Sequence, residues 1–377
     1  MGTSPEAIGI TATLFLPVLS VAARSVFLQP YSERSSYVWL KYCQANHVLR
    51  LLVVLLWCAF WEFRPFNNLP PSPFWVAPII AVFVAQTSVR IISRRILERR
   101  WSSSDIARLA FWSTVSPSIA LLMTASGFHS LLDREFVGLL WFPMAGAAAF
   151  IGMLRLQSAQ GMKPRRVKSG TLLNRTLHLA RRVGVRIDRV FIIPAGRGQL
   201  TNAFSVRGGV GLTDNFGEYL SGVELDSVIA HELGHAEGRH TLKKFTAVML
   251  VVLFFSVLSF GIPSAGQVLR AGYVLFALLT ILLFYYHVSR KFEYECDRKA
   301  VEYTNSPEGL IRGLAALYEK TGAPIACARV VELFMTHPSL IHRVEAVAQR
   351  AKISRAQLFQ LLPQLVDVKP KTTAAAP

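Results

Sequence analysis

Seven blocks of apolar residues, each near the length of about 17–25 residues that a bilayer-crossing helix needs, leave this chain few folds to choose from. They fall at roughly 8–23, 48–63, 74–92, 106–126, 136–154, 245–262 and 271–288. Hydrophobic residues make up 52% of the chain and charged ones only 17%, against about 25% charged in an ordinary soluble domain. The first block is short and ends near Val21-Ala22-Ala23. It lacks the positively charged stretch of a cleaved signal and is read as a retained anchor. Arg50 sits at one end of the second block, where a long side chain can reach the interface, and Pro117 lies inside the fourth, as membrane helices tolerate.

Charge supports the count. The connections at 24–47, 93–105, 155–244 and 289–299 are basic, the longest carrying 15 Lys/Arg against 7 Asp/Glu. The connections at 64–73, 127–134 and 263–269 are nearly bare. Basic and bare loops alternate, which predicts seven spans with the N-terminus outside and the C-terminus in the cytoplasm. The net charge of +18 is then a topology signal. No nucleic-acid-binding signature accompanies it, so nucleic acid is not an expected partner. The four cysteines, Cys43, Cys58, Cys296 and Cys327, form no CxxC pair. They read as free thiols, the water-facing ones in a reducing compartment.

These patterns divide the chain into a membrane region at 1–160 with about five spans, a water-facing part at 161–244, a transmembrane hairpin at 245–288, a second water-facing part at 289–365 and a disordered tail at 366–377. Within the first water-facing part, a basic linker at 162–169 precedes a helical pattern over 171–183 that Gly184 stops. Short strands are expected at 190–193 and 200–206, and Gly208-Gly209 turns the chain into a third at 210–213. Ser221 and Glu224 have the spacing of a capping box. The helix that follows would bury Leu225, Val228, Ile229 and Leu233 on one face.

That helix carries His231-Glu232-Leu233-Gly234-His235. Residues four apart share a helix face, so both imidazoles can close on one metal ion, with Glu232 beside them as general base. A catalytic zinc needs a third protein ligand and an open position. Glu293 is the leading candidate, 58 residues beyond His235. Asp297 follows it by one helical turn and can orient a ligand from behind. Glu295 points about 200° away from Glu293, and Cys296 is a rival ligand. His240, in Gly238-Arg239-His240, reads as a solvated residue with no metal role.

His231 to His235, Gly238 to His240, two spans, and then Ser289 to Asp297 together resemble the membrane zinc metallopeptidases that include HtpX and the CAAX prenyl proteases. Thr201-Asn202-Ala203-Phe204 with Gly211-Leu212-Thr213 resembles the stretch upstream of the family's metal helix. Thr336-His337-Pro338-Ser339 with Arg343 resembles its downstream motif. The likeness covers about 165–350. It departs at Cys296, where the family usually has Ala. It implies a mainly α fold: a bundle of about seven transmembrane helices with an α+β gluzincin-type domain carrying HExxH. It also implies one Zn2+ per chain held by His231, His235 and Glu293, with Asp297 behind, and Asn202 and Ala203 on an edge strand that receives substrate. His337 and Arg343 would approach the substrate carbonyl; alternatively, His337-Pro338 only caps a helix and Arg343 is a surface ion-pair member.

The expected protein is a multi-pass enzyme of the cell membrane that cuts polypeptides; membrane protein quality control or processing is the leading role, with trimming of prenylated C-termini as the alternative. A catalytically inactive membrane scaffold or chaperone is the rival outside enzymes. The partners expected are a membrane-associated polypeptide and the lipid bilayer, with the catalytic domain on the cytoplasmic side.

Overall fold

The computed structural model describes residues 77–362 except 97–98, 162, 197–200, 207, 221, 263–265, 322 and 324, together with 51, 54 and 55. The first two apolar blocks, most of the second included, lie outside the described residues, as do the capping residue Ser221 and the tail at 366–377. The helices are α1 (Ala77–Ile96), α2 (Ser103–Leu132), α3 (Trp141–Ala159), α4 (Thr171–Arg182), α5 (Gly222–Gly238), α6 (His240–Gly261), α7 (Gln267–Thr304), α8 (Pro307–Thr321), α9 (Arg329–Glu332), α10 (Leu340–Ala351) and α11 (Arg355–Leu361). The strands are β1 (Arg165–Arg166), β2 (Arg189–Ile193), β3 (Ala203–Val206) and β4 (Gly209–Thr213).

The chain divides into two compact units. One comprises the described residues within 1–163, 196–199 and 243–287; the other comprises those within 164–195, 200–242 and 288–377. Among the described residues, four helices are long and apolar enough to cross a membrane: Ser103–Leu132, Phe136–Ala159, His240–Gly261 and Val268–Thr304. The third expected span is helical as α1, but its apolar stretch there is only Val82–Ile91. The count of seven therefore rests on sequence alone.

In the first unit, Ser102 caps α2 through a reciprocal box with Asp105. Phe128 is fully buried, with ring centres 5.1 Å from Phe142 and 6.3 Å from Phe255. Helices α2 and α3 approach closely at Gly152, where a Cβ would come within 1.7 Å of Ser116 Oγ. Ser116 Oγ donates to the Ala148 carbonyl at 3.0 Å. Small residues and an interhelical hydroxyl bond are how apolar helices adhere where lipid removes the hydrophobic drive.

In the second unit, the sheet order is β1-β2-β4-β3. Strands β2 and β4 run parallel, and β1 and β3 are antiparallel to their neighbours. The expected strands appear, and the basic linker adds a fourth, β1, that the periodicity did not announce. Gly209 permits the parallel pairing, since a Cβ there would meet the Arg189 carbonyl at 2.3 Å. The helix α5 packs on β3 and β4 and on α8. It buries Val228, Ile229 and Leu233 among Val210, Leu212, Leu310, Ile311, Leu340 and Val344, each large side chain contributing about 1.5–3 kcal/mol. The end of α7 is marked by Asn305, left-handed at φ 51, and Ser306 Oγ then accepts the Gly309 N–H at 3.2 Å to start α8.

The connection between α9 and α10 is pinned from two sides. Arg290 donates to the carbonyls of Glu332 at 2.8 Å and Met335 at 2.9 Å. Glu332 Oε1 accepts the Ser339 N–H at 2.6 Å, and Oε2 lies 2.7 Å from His342 Nδ1. The bond to Glu332 outweighs burial and raises the His342 pKa above 6.5. Burial would raise Glu332, but the bonds from His342 and Ser339 hold it below 4.5. Stability from His342 is thus complete below its unfolded value and is lost as pH rises through the folded one; that from Glu332 is lost as pH falls through its folded value. The melting temperature of the wild type should exceed that of His342→Leu by more at about pH 6 than at about pH 9. A difference independent of pH would refute the pair.

Candidate metal centre

Helix α5 forms because its apolar residues repeat on one face, and that face is anchored in the core. The same burial carries His231 and Glu232 inward, leaving them 6% and 8% exposed. The ring centres of His231 and His235 are 4.9 Å apart. Glu293, on α7, brings Oε2 to 3.5 Å from His231 Nε2 and Oε1 to 3.4 Å from His235 Nε2. These separations are long for hydrogen bonds. They suit a shared ion, since tetrahedral bonds of about 2.0–2.2 Å set donors about 3.3–3.6 Å apart. His231, His235 and Glu293 form one of two groups of donor atoms among the described residues that could hold a metal ion.

Behind this trio, Asp297 Oδ1 lies 2.9 Å from His231 Nδ1. Arg343 grips the same carboxylate with both arms of its fork, Nη2 to Oδ1 at 2.6 Å and Nε to Oδ2 at 2.8 Å. Its third nitrogen, Nη1, is 3.4 Å from Glu293 Oε2. Arg343 is 4% exposed. It is a buried partner of two carboxylates and not a surface ion-pair member. Burial disfavours a charged His231, but the neighbouring carboxylates of Asp297 and Glu293 outweigh it and lift its pKa to about 9.

His337 stands at the open side. Its side chain is 61% exposed, and Nε2 is 3.4 Å from Glu293 Oε1. Tyr318 fixes the neighbouring backbone by donating to the Pro338 carbonyl at 2.5 Å. Glu295 faces elsewhere, as its helical angle requires, 3.5 Å from Lys299.

Cys296 is fully buried, and its Sγ is 3.4 Å from His240 Nδ1. His235, His240 and Cys296 make up the second donor group. His240 is buried at 1% exposure and is not the solvated residue expected. The two groups share only His235. Its Nε2 faces Glu293 and its Nδ1 faces His240, so Cys296 lies on the far side of that ring from the Glu293 carboxylate.

Among the described residues, the edge strand β3 pairs only with β4. Asn202 just precedes it, and its backbone is already engaged: N–H to Thr213 Oγ1 and carbonyl to Thr213 N–H, both at 3.0 Å. The alternation of an antiparallel ladder then turns Ala203 and Ser205 toward the free edge. The Ala203 N–H is covered by Asn202 Oδ1 at 3.0 Å. Of Asn202 and Ala203, only the latter presents backbone outward, and Ser205 joins it.

Residues 168–351 match peptidase family M48. A protein named protease HtpX homolog from Nostoc sp. is 29% identical over 210 residues, 46% of this chain and 71% of that one. Protease HtpX from Stutzerimonas stutzeri is 27% identical over 224 residues, 50% of this chain and 75% of that one. The crystal structure of Ste24p from S. mikatae is similar in fold, with a TM-score of 0.50 and 16% identity over 92% of this chain and all of that one. The motif-bearing domain and the membrane-type helices agree with these matches: the chain carries an M48 peptidase domain at 168–351 and resembles the membrane metalloproteases of the HtpX and CAAX protease family.

Proposed function

We propose that the protein is a zinc-dependent endopeptidase that cuts membrane-associated polypeptides. The observation that carries this reading is the convergence of His231 Nε2, His235 Nε2 and the Glu293 carboxylate beside a buried Glu232. The donor set of two imidazoles and one carboxylate suits zinc in a hydrolytic site. When bound, zinc supplies a Lewis acid that polarises the scissile carbonyl and makes water a competent nucleophile near neutral pH. Glu232 takes a proton from the attacking water and passes it to the leaving amine. His337, exposed and next to Glu293, donates to the oxygen on which charge builds. Arg343 and Asp297 hold His231 in the tautomer whose Nε2 lone pair faces the ion. The substrate backbone adds to the free edge of β3 at Ala203 and Ser205.

The basic connections at 155–244 and 289–299 favour a catalytic unit on the cytoplasmic side. A substrate drawn from misfolded or maturing membrane proteins fits the HtpX-type relatives. Casein and a farnesylated CAAX peptide, offered in parallel, separate this from C-terminal trimming: cleavage of the prenylated peptide alone would reassign the substrate.

Glu232→Gln should retain one zinc per chain and lose at least about a hundredfold in kcat. Wild-type turnover in that variant would remove Glu232 as base, and no cleavage by either form on any substrate would favour a non-enzymatic scaffold. Glu293→Ala should lose zinc itself, read by atomic absorption. Ser205→Pro deletes an outward N–H at an edge position where proline is tolerated. It should raise KM about tenfold or more, the loss of about 1.4 kcal/mol, with little change in kcat; an unchanged KM would place the substrate elsewhere.

A further inference from the structure

We propose that His240 is a positioning residue for the metal centre: its Nδ1 accepts a hydrogen bond from His235 Nδ1–H and thereby fixes the ring that presents Nε2 to the ion. The inference rests on the zinc reading of His231, His235 and Glu293.

The logic starts from the imidazole. A neutral ring that gives its Nε2 lone pair to a metal must carry its proton on Nδ1. His235 Nδ1 lies 3.0 Å from His240 Nδ1. Two nitrogens at that distance share one proton, so His240 Nδ1 is the acceptor. The proton of a neutral His240 then sits on Nε2, which lies 3.6 Å from Glu295 Oε2. Coordination at one edge of His235 thus determines the tautomer of a second histidine. His231 is held by Asp297 at its own Nδ1. The two histidine ligands of one ion are therefore oriented differently, one by a carboxylate and one by another imidazole.

The surroundings are built for this ring. Arg239 is left-handed at φ 48 and separates α5 from α6, turning His240 back toward His235. Gly238 leaves the space: a Cβ there would fall within 2.1 Å of His240 Nε2. Phe292 stacks on the imidazole at 4.1 Å between centres and 2° between planes. Cys296 Sγ, 3.4 Å from the same Nδ1, flanks the bond. The ring is thus fixed in plane and position, and its acceptor atom is directed at the ligand. Partners of metal-bound histidines that hold the second ring nitrogen typically raise metal affinity about 10–100-fold.

The test uses the full chain purified in detergent, stripped of metal and titrated with Zn2+ against a chelating dye. His240→Phe keeps the stacked ring and removes the acceptor; zinc affinity should fall about 10–100-fold, while the metal-free melting temperature stays near wild type. His240→Asn places Oδ1 where Nδ1 was and should restore affinity to within about threefold, less than 1 kcal/mol. His240→Gln, whose amide reaches the Nε2 position, should not. Co2+ in the site should show a shifted visible spectrum in His240→Phe and a wild-type spectrum in His240→Asn. Wild-type affinity in His240→Phe, or an Asn variant no better than Gln, overturns the proposal. If His240→Phe does not fold, the Asn–Gln comparison decides. A wild-type chain that binds no zinc sinks the metal reading and this proposal together, whereas zinc lost in His231→Ala but not in His240→Phe sinks this proposal alone.

Discussion

A buried guanidinium is the constraint on which the second unit depends. Arg343 cannot leave its charge unpaired in a core where an isolated ion costs several kcal/mol. It meets Asp297 with two short bonds and approaches Glu293 with its remaining nitrogen. Two carboxylates against one guanidinium leave the cluster one positive charge short of neutral. Without metal, His231 can supply the balance by holding a proton, consistent with its pKa of about 9. A bound cation would take that place, with His231 presenting a neutral imidazole. The cluster is therefore selective for positive charge before any question of ligand geometry arises.

The elements that deliver these groups are far apart in sequence and ordinary in kind. Helix α5 supplies both imidazoles because its apolar face fixes its rotation against the sheet and α8. Helix α7 supplies Glu293 and Asp297 one turn apart, so that one carboxylate faces the imidazole Nε2 atoms and the other reaches His231 from behind. Helix α10 brings Arg343, and the connection before it is tied down by Arg290, Glu332 and Tyr318 so that His337 stays at the rim. Each candidate ligand is held by packing on one side and by a polar partner on the other, which is what a site needs if its donors are to stay within a few tenths of an ångström of their working positions.

Much of this was legible in the chain. The i, i+4 spacing of His231 and His235, the apolar period of the helix around them and the turn signals at Gly208-Gly209 are local properties, set by residues near one another in sequence. Strand β1 was not legible, because two arginines in a basic linker have no periodicity and pair only because β2 offers an edge. Arg343 read equally well as a surface residue, because nothing in its neighbours announces burial. His240 looked like one more solvated residue past the motif. The left-handed Arg239 and the missing side chain at Gly238 turn it inward, and neither effect can be judged without the space around them.

The sequence by itself determined the classes of element, the spacing of the two imidazoles and the presence of apolar runs long enough to span a bilayer, since these depend on periodicity, length and hydropathy. Only the tertiary structure decided which carboxylate faces the imidazoles, which side of His235 Cys296 occupies, and which backbone groups of β3 stay free. Those outcomes depend on the rotation of one helix against another and on the register of a strand pair, and contacts between residues distant in the chain fix both.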